Sequence, residues 1–188
     1  MKSFVSSLFG RFAREDKGGA IVEAVIILPL LIWAQVALYV YWDAYRTQNT
    51  SVKASYTVAD MVSREAKDVD DNYITGLQTV YTYLLNTTQT TGMVVSSVTW
   101  VQARNRYEVL WSEARGTNTT ALGKASLQAF ANKMPIMADG DTVVLVQTYL
   151  DYVPMYSVGV PSFTTTQFIA TRPRRSPKVT CPTCGIGT

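Results

Sequence analysis

The sequence predicts an α+β fold: a long N-terminal helix, apolar enough to cross a membrane, that continues into a domain with an antiparallel sheet. Three observations predict it. An apolar run of about 20 residues, the length of a spanning helix, follows a short basic segment and ends near Trp42. No glycine or proline lies between Pro29 and Gly76, so the helix can continue beyond the run. Later segments rich in valine and aromatic residues alternate with polar turns, as strands do.

Composition and charge limit the function. The chain has 188 residues, enough for one modest domain and an anchor. Residues 1–18 carry four basic and two acidic side chains, residues 172–188 carry four basic and none acidic, and the body between them has a net charge of −3. A slightly acidic body argues against a nucleic-acid partner. The chain has no histidine, which excludes Ser-His-Asp and Cys-His catalysis. We therefore expect no enzyme, no catalytic residues and no cofactor.

The basic segment, residues 1–18, has three interpretations: a flexible cytoplasmic end, the start of a secretory signal, or a leader that is cleaved. A secretory signal has a shorter apolar region and a small-residue cleavage site, whereas this run ends in bulky aromatics. Residues 19–45 therefore fit a transmembrane helix. Basic residues precede the run and Arg46 is the first after it, which predicts a cytoplasmic N-terminus. An aromatic belt is expected at the far interface, formed by Tyr39, Tyr41, Trp42 and Tyr45.

Two residues of the apolar run need an explanation. Glu23 is a carboxylate at its edge; such a residue is either an interfacial acid whose side chain reaches water or a functional group. Pro29 removes a hydrogen bond from the helix ladder and should kink or locally unwind the helix.

The arrangement around Glu23 resembles the class III signal of type IV prepilins. Gly18 is followed by Gly19-Ala20-Ile21-Val22-Glu23, and Pro29 comes six residues after the glutamate. The wider stretch to Leu31, the segment 56–65 and the Arg172-Pro173-Arg174 sequence are similar to TadE-like pseudopilins of the Tad (tight adherence, Flp) pilus system. Ala24 departs from that pattern, because an aromatic residue often follows the glutamate.

The resemblance implies a function. A prepilin peptidase would cut between Gly18 and Gly19, Glu23 would become the fifth residue and set subunit registration, and Pro29 would let the helix unwind on assembly. The protein would be a minor pilin or pseudopilin, held in the bacterial inner membrane before it enters a pilus outside the cell. Its partners would be the peptidase, other pilins and pseudopilins, the inner-membrane assembly platform and the lipid bilayer, and its domain would be pilin-like.

Residues 46–171 are predicted to form a periplasmic α+β domain. One apolar stripe predicts that a single helix continues from about Ala20 to Ala66, although a separate amphipathic helix after the anchor fits nearly as well. Asp70 or Asp71 should cap a second helix that ends near Asn86. The stripe of the first helix is formed by Val52, Tyr56, Ala59, Val62 and Ala66, and the face of the second by Ile74, Leu77, Tyr81, Leu84 and Leu85.

Strands are predicted at 94–102 and 107–114, and these two should form a hairpin. A third strand, at 142–152, should lie in the centre of the sheet, and a last strand is predicted at 165–171. A short helix is expected at 121–132. Pro154 and Pro161 should bound a loop from Met155 to Val160. The hairpin core should contain Trp100, Tyr107 and Trp111.

The C-terminal tail, residues 172–188, is basic and contains Cys181 and Cys184. A zinc site would need two more ligands, and a redox Cys-x-x-Cys normally opens a helix; a disulfide is the expected state outside the cytoplasm. The basic residues could touch anionic lipid or nucleic acid, but a solvated tail is the simpler expectation.

Two further functions remain open at this point. One is a static, unprocessed single-pass anchor that carries a periplasmic binding or adhesion module, and the other is a thiol-redox protein acting through its cysteines.

Overall fold

A computed structural model of the protein describes residues 18–186. It confirms the α+β class, the long N-terminal helix and the antiparallel sheet. The described chain forms two compact units. The anchor unit contains residues 18–43 and the loop Met155–Val160; the head unit contains Ala44–Pro154 and the residues from Pro161 on. The elements are α1 (Gly18–Ser63), α2 (Asp71–Leu85), β1 (Thr91–Val101), β2 (Arg106–Gly116), α3 (Lys124–Gln128), β3 (Thr142–Tyr152) and β4 (Phe163–Thr171).

The part of α1 that belongs to the head unit buries only part of the predicted stripe: Ala59 and Val62 are buried as expected. Tyr56 is exposed and Ala66 lies beyond the helix, whereas three serines of α1, Ser51, Ser55 and Ser63, are buried. The hydroxyl of Ser51 bonds that of Tyr81 (3.0 Å), and the hydroxyl of Ser55 bonds that of Thr148 (2.6 Å). Because their polar atoms are satisfied, serines can be buried here. The buried residues of this part of α1 are Ala44, Ser51, Ala54, Ser55, Val58, Ala59, Val62 and Ser63.

The second helix, α2, begins and ends as predicted. The Asp70 carboxylate accepts the backbone N–H of Tyr73 (2.7 Å), which satisfies one of the free donors of the first turn. The helix ends at Asn86, whose φ of 47° reverses the chain. Four residues of the predicted face are buried, but Leu84 is exposed.

The sheet has the order β2-β1-β3-β4, and all neighbouring strands are antiparallel. β3 is an inner strand, as its run of aliphatic residues predicts. Side chains alternate along it: Val144 and Val146 belong to the core beneath the helices, whereas Val143 and Leu145 belong to a second core on the other face. Both faces of the sheet are therefore covered.

The connection from β2 to β3 covers that second face. The backbone N–H of Leu122 donates to the hydroxyl of Ser112 (2.6 Å), which also bonds the hydroxyl of Ser96 (2.8 Å). Leu122, Leu127 and other apolar residues of the connection are buried against the sheet. The predicted helix at 121–132 is wrong in length: the chain forms α3 and then a separate 3₁₀ turn, Ala131–Lys133.

The predicted hairpin, β1 and β2, contains a bulge. Ser97 pairs with Trp111 but Val98 pairs with Val109, so Leu110 is the extra residue. An extra residue reverses which face the following side chains take. Trp100 and Tyr107 thus contact each other on the second face, with ring centroids 4.7 Å apart, while Trp111 is buried beneath the helices. The prediction that Trp111 shares their core was wrong.

The basic side chains of the tail are exposed, as expected of a solvated segment, but the tail is also docked on the head unit, which the sequence did not predict. After β4 it crosses the helix side of the head unit, where Val179 and Cys181 join the core. Arg174 N–H donates to the carbonyl of Ser63 at the end of α1 (2.7 Å), and the indole N–H of Trp111 donates to the carbonyl of Val179 (2.8 Å). The tail thereby satisfies a free carbonyl at a helix end and a buried indole.

Candidate assembly site

The predicted cleavage point lies at the beginning of α1. Gly18 is the first helical residue and Gly19 the second. A Cβ placed on Gly19 would have no atom within 4 Å, so the backbone there is sterically open. The leader that would be removed lies, apart from Gly18, outside the described residues.

Glu23 is exposed and lies four residues after Gly19, one helical turn away. The rise between them is about 6 Å along the helix axis. Within residues 18–186, no ion pair or hydrogen bond to Glu23 is observed. An amine at Gly19 and the carboxylate of Glu23 would therefore lie on one helix face, one turn apart.

Pro29 lies inside α1, and the chain remains helical on both sides of it. The local unwinding that the sequence allowed is thus not seen in this structure. Proline still lacks an N–H, so the carbonyl of Val25, four residues earlier, has no partner in the helix ladder. The predicted role of Pro29 during assembly stays a prediction.

The anchor part of α1 exposes apolar side chains around its circumference. α1 is the one described helix that is long and apolar enough to cross a membrane. The side chains of its most apolar window are not buried within the protein. Such a surface is unstable in water and requires lipid or other protein. Large exposed apolar residues between Ile21 and Trp33 are Ile21, Val22, Val25, Ile26, Ile27, Leu28, Leu30, Leu31, Ile32 and Trp33.

The loop Met155–Val160 belongs to the anchor unit, which the sequence does not predict. It joins residues 18–43 in one compact unit. Gly159 has a φ of 97°, and a Cβ there would be 4.0 Å from the hydroxyl oxygen of Tyr41. The bounding prolines predicted a loop, but nothing in its sequence indicates which surface it packs against.

Cys181 and Cys184 are joined in a disulfide, with their Cα atoms 5.3 Å apart. Cys181 is buried with the helix-side core, and Cys184 packs against it. The disulfide lies in the docked tail, where Thr180 accepts the N–H of Val69 (2.8 Å) and Gly185 accepts that of Ser112 (2.9 Å). It holds a turn of the tail in place against the head unit.

Two clear pKa shifts in the head unit have structural causes. Burial raises the pKa of Tyr73 to about 12, and the charge of Glu65 and a hydrogen bond to it act in the same direction. Hydrogen bonds from Arg104 and Arg106 lower the pKa of Glu108. In the described part of the chain, no cluster of three or more His, Cys, Asp or Glu side chains is placed to hold a metal ion.

Comparisons with known proteins give no relative: no protein-family model, curated protein or solved structure matches the chain significantly.

Proposed function

We propose that the protein is a minor pilin or pseudopilin, similar to the TadE-like proteins of Tad/Flp pili, that works by assembly. The observation that carries the proposal is the beginning of α1: an open Gly18-Gly19 bond, Glu23 one turn later, and then a helix that exposes apolar side chains all around. A helix that only anchors a domain needs the apolar surface. It does not need the carboxylate, which costs free energy wherever it enters the membrane.

Cleavage after Gly18 would give Glu23 a partner. The new amine of Gly19 is positive at neutral pH, and in a bundle of helices it can pair with the carboxylate of Glu23 of a neighbouring subunit. Pairing offsets the cost of removing both charges from water. Since the apolar helix is retained, the processed protein would wait in the inner membrane before it enters a polymer.

Pro29 suits a helix that must change its environment. The unpaired carbonyl of Val25 is a weak point in the ladder, and unwinding there would break fewer hydrogen bonds than elsewhere in α1. The head unit, which buries its own core, would remain folded meanwhile and would cap or prime the fibre.

The proposal is tested by comparing Gly18→Val with Gly76→Val. Both replace a glycine within a helix, and Gly76 is exposed with open space around its Cβ position. Valine and glycine differ in helix propensity by only a few tenths of a kcal/mol, so the two changes should affect folding alike. We expect Gly18→Val to keep its leader, migrate as the longer chain and reduce pilus production, and Gly76→Val to be processed normally.

The competing function is an unprocessed, static anchor for a periplasmic binding or adhesion module. It predicts that Gly18→Val changes neither mobility nor pilus production. A thiol-redox function predicts instead that replacing Cys181 and Cys184 by serine abolishes an activity beyond any loss of stability.

A further inference from the structure

The loop Met155–Val160, which we call the anchor loop, exposes apolar side chains although it is outside α1. Met155 is 77% exposed and Tyr156 is 50% exposed. Single exposed apolar residues are ordinary, but two in succession on a packed loop are a candidate contact surface.

The position of the anchor loop on the helix is specific. Gly159 lies near the hydroxyl of Tyr41, within the group of aromatic residues that ends the apolar run. The aromatic side chains of Tyr39, Tyr41 and Trp42 are themselves exposed. Aromatic residues of this kind occupy the boundary between the hydrocarbon and the headgroups.

The charge of the surrounding chain also fits a lipid boundary. Between Asp151 and Arg172 there is no Asp, Glu, Lys or Arg. Charged side chains are costly near the hydrocarbon, whereas methionine and tyrosine gain from partial burial there. A surface for a charged protein partner would be expected to carry complementary charge.

We propose that the anchor loop is a second membrane-contact element, which inserts Met155 and Tyr156 into the interfacial layer beside the aromatic belt of α1. It rests on the membrane placement of α1 in the proposed function. The loop would then fix the rotation of the helix about its own axis relative to the bilayer surface, because one side of the helix end carries the loop and the other does not.

The test uses the full chain in vesicles of phosphatidylcholine and phosphatidylglycerol. A single cysteine is introduced by Met155→Cys or, independently, Tyr156→Cys and labelled with an environment-sensitive fluorophore; the native cysteines are in a disulfide and do not react. Leu31→Cys serves as the reference for the spanning helix. Ile136→Cys is the matched control, since Ile136 is an apolar side chain of the head unit that is 96% exposed.

The proposal predicts blue-shifted emission at positions 155 and 156 and loss of most of it when lipids carry a nitroxide near the headgroup. Position 136 should be quenched by aqueous iodide instead. If positions 155 and 156 behave like position 136 while position 31 is quenched by a nitroxide near the end of the lipid acyl chain, the loop proposal is wrong and the membrane placement of α1 is supported. If position 31 is also reached by iodide, the membrane placement fails and the loop proposal fails with it.

Discussion

The anchor unit and the head unit handle apolar side chains in opposite ways. In the head, both faces of the sheet are covered, one by α1 and α2 and the other by the connection between β2 and β3. In the anchor, the apolar residues of α1 from Ile21 to Trp33 are exposed. The same helix, α1, takes part in both units.

The difference shows where the molecule needs a partner. The head buries two apolar cores of its own, one on each face of the sheet. The anchor does not bury its apolar surface in this way, so its free energy depends on lipid or on other helices. A helix that can be covered either by lipid or by other helices suits the proposed assembly from a membrane. Because only the anchor depends on such a partner, substitutions in the two units should have different consequences.

The largest effect is expected for charges in the anchor. Ile27→Asp combined with Leu31→Asp should cost about 5–7 kcal/mol of insertion free energy, at about 2.5–3.5 kcal/mol for each aspartate near the bilayer centre. The measurement is the fraction of the protein that resists carbonate extraction from membranes. Ile136→Asp, in the head, is the control and should remain fully membrane-bound. Equal retention of both variants would contradict the division into anchor and head.

A smaller effect is expected when one leucine is truncated in each unit. Leu150 is buried in the helix-side core. The substitution Leu150→Ala should lower the unfolding free energy by about 2–5 kcal/mol, because it leaves a cavity. Leu28→Ala, on the exposed anchor surface, should change it by no more than about 0.5 kcal/mol. Urea unfolding of the full chain in detergent, followed by near-ultraviolet circular dichroism, measures both. If the two variants are destabilised equally, the distinction between a buried head core and an exposed anchor surface is wrong.

The smallest effect is expected in the tail. Replacing Cys181 and Cys184 by serine opens a disulfide with a sequence separation of 3. The entropy of so short a loop is worth about 2 kcal/mol at most. The double variant should therefore lower the unfolding free energy modestly in the same urea assay and leave membrane retention unchanged. A variant that fails to fold would show that the tail is essential to the head core.

Much of the fold could be predicted because local signals agree with the packing. The strand at 142–152 follows an Asp-Gly-Asp turn and has an uninterrupted aliphatic run, and β3 has those bounds. The cap at Asp70 is a local interaction, so its residue type reveals it. In each case, neighbours in sequence determine the outcome.

The errors have non-local causes. Placing Trp111 correctly requires knowing that Leu110 is bulged, and nothing in the alternation of the strand marks that residue. Docking of the tail depends on Val179 and Cys181, which are isolated apolar residues without periodicity. In the candidate site, the spacing of Gly18 and Glu23 is readable from the sequence, whereas the anchor loop is brought to α1 only by the fold.

The proposed function requires that the chain is cleaved after Gly18. N-terminal sequencing of the wild-type protein, purified from the membrane of its own cell, tests it most directly. We expect a chain that begins at Gly19, with glutamate in the fifth sequencing cycle. A chain that begins at Met1 would contradict it and would leave α1 as an ordinary anchor with an interfacial acid.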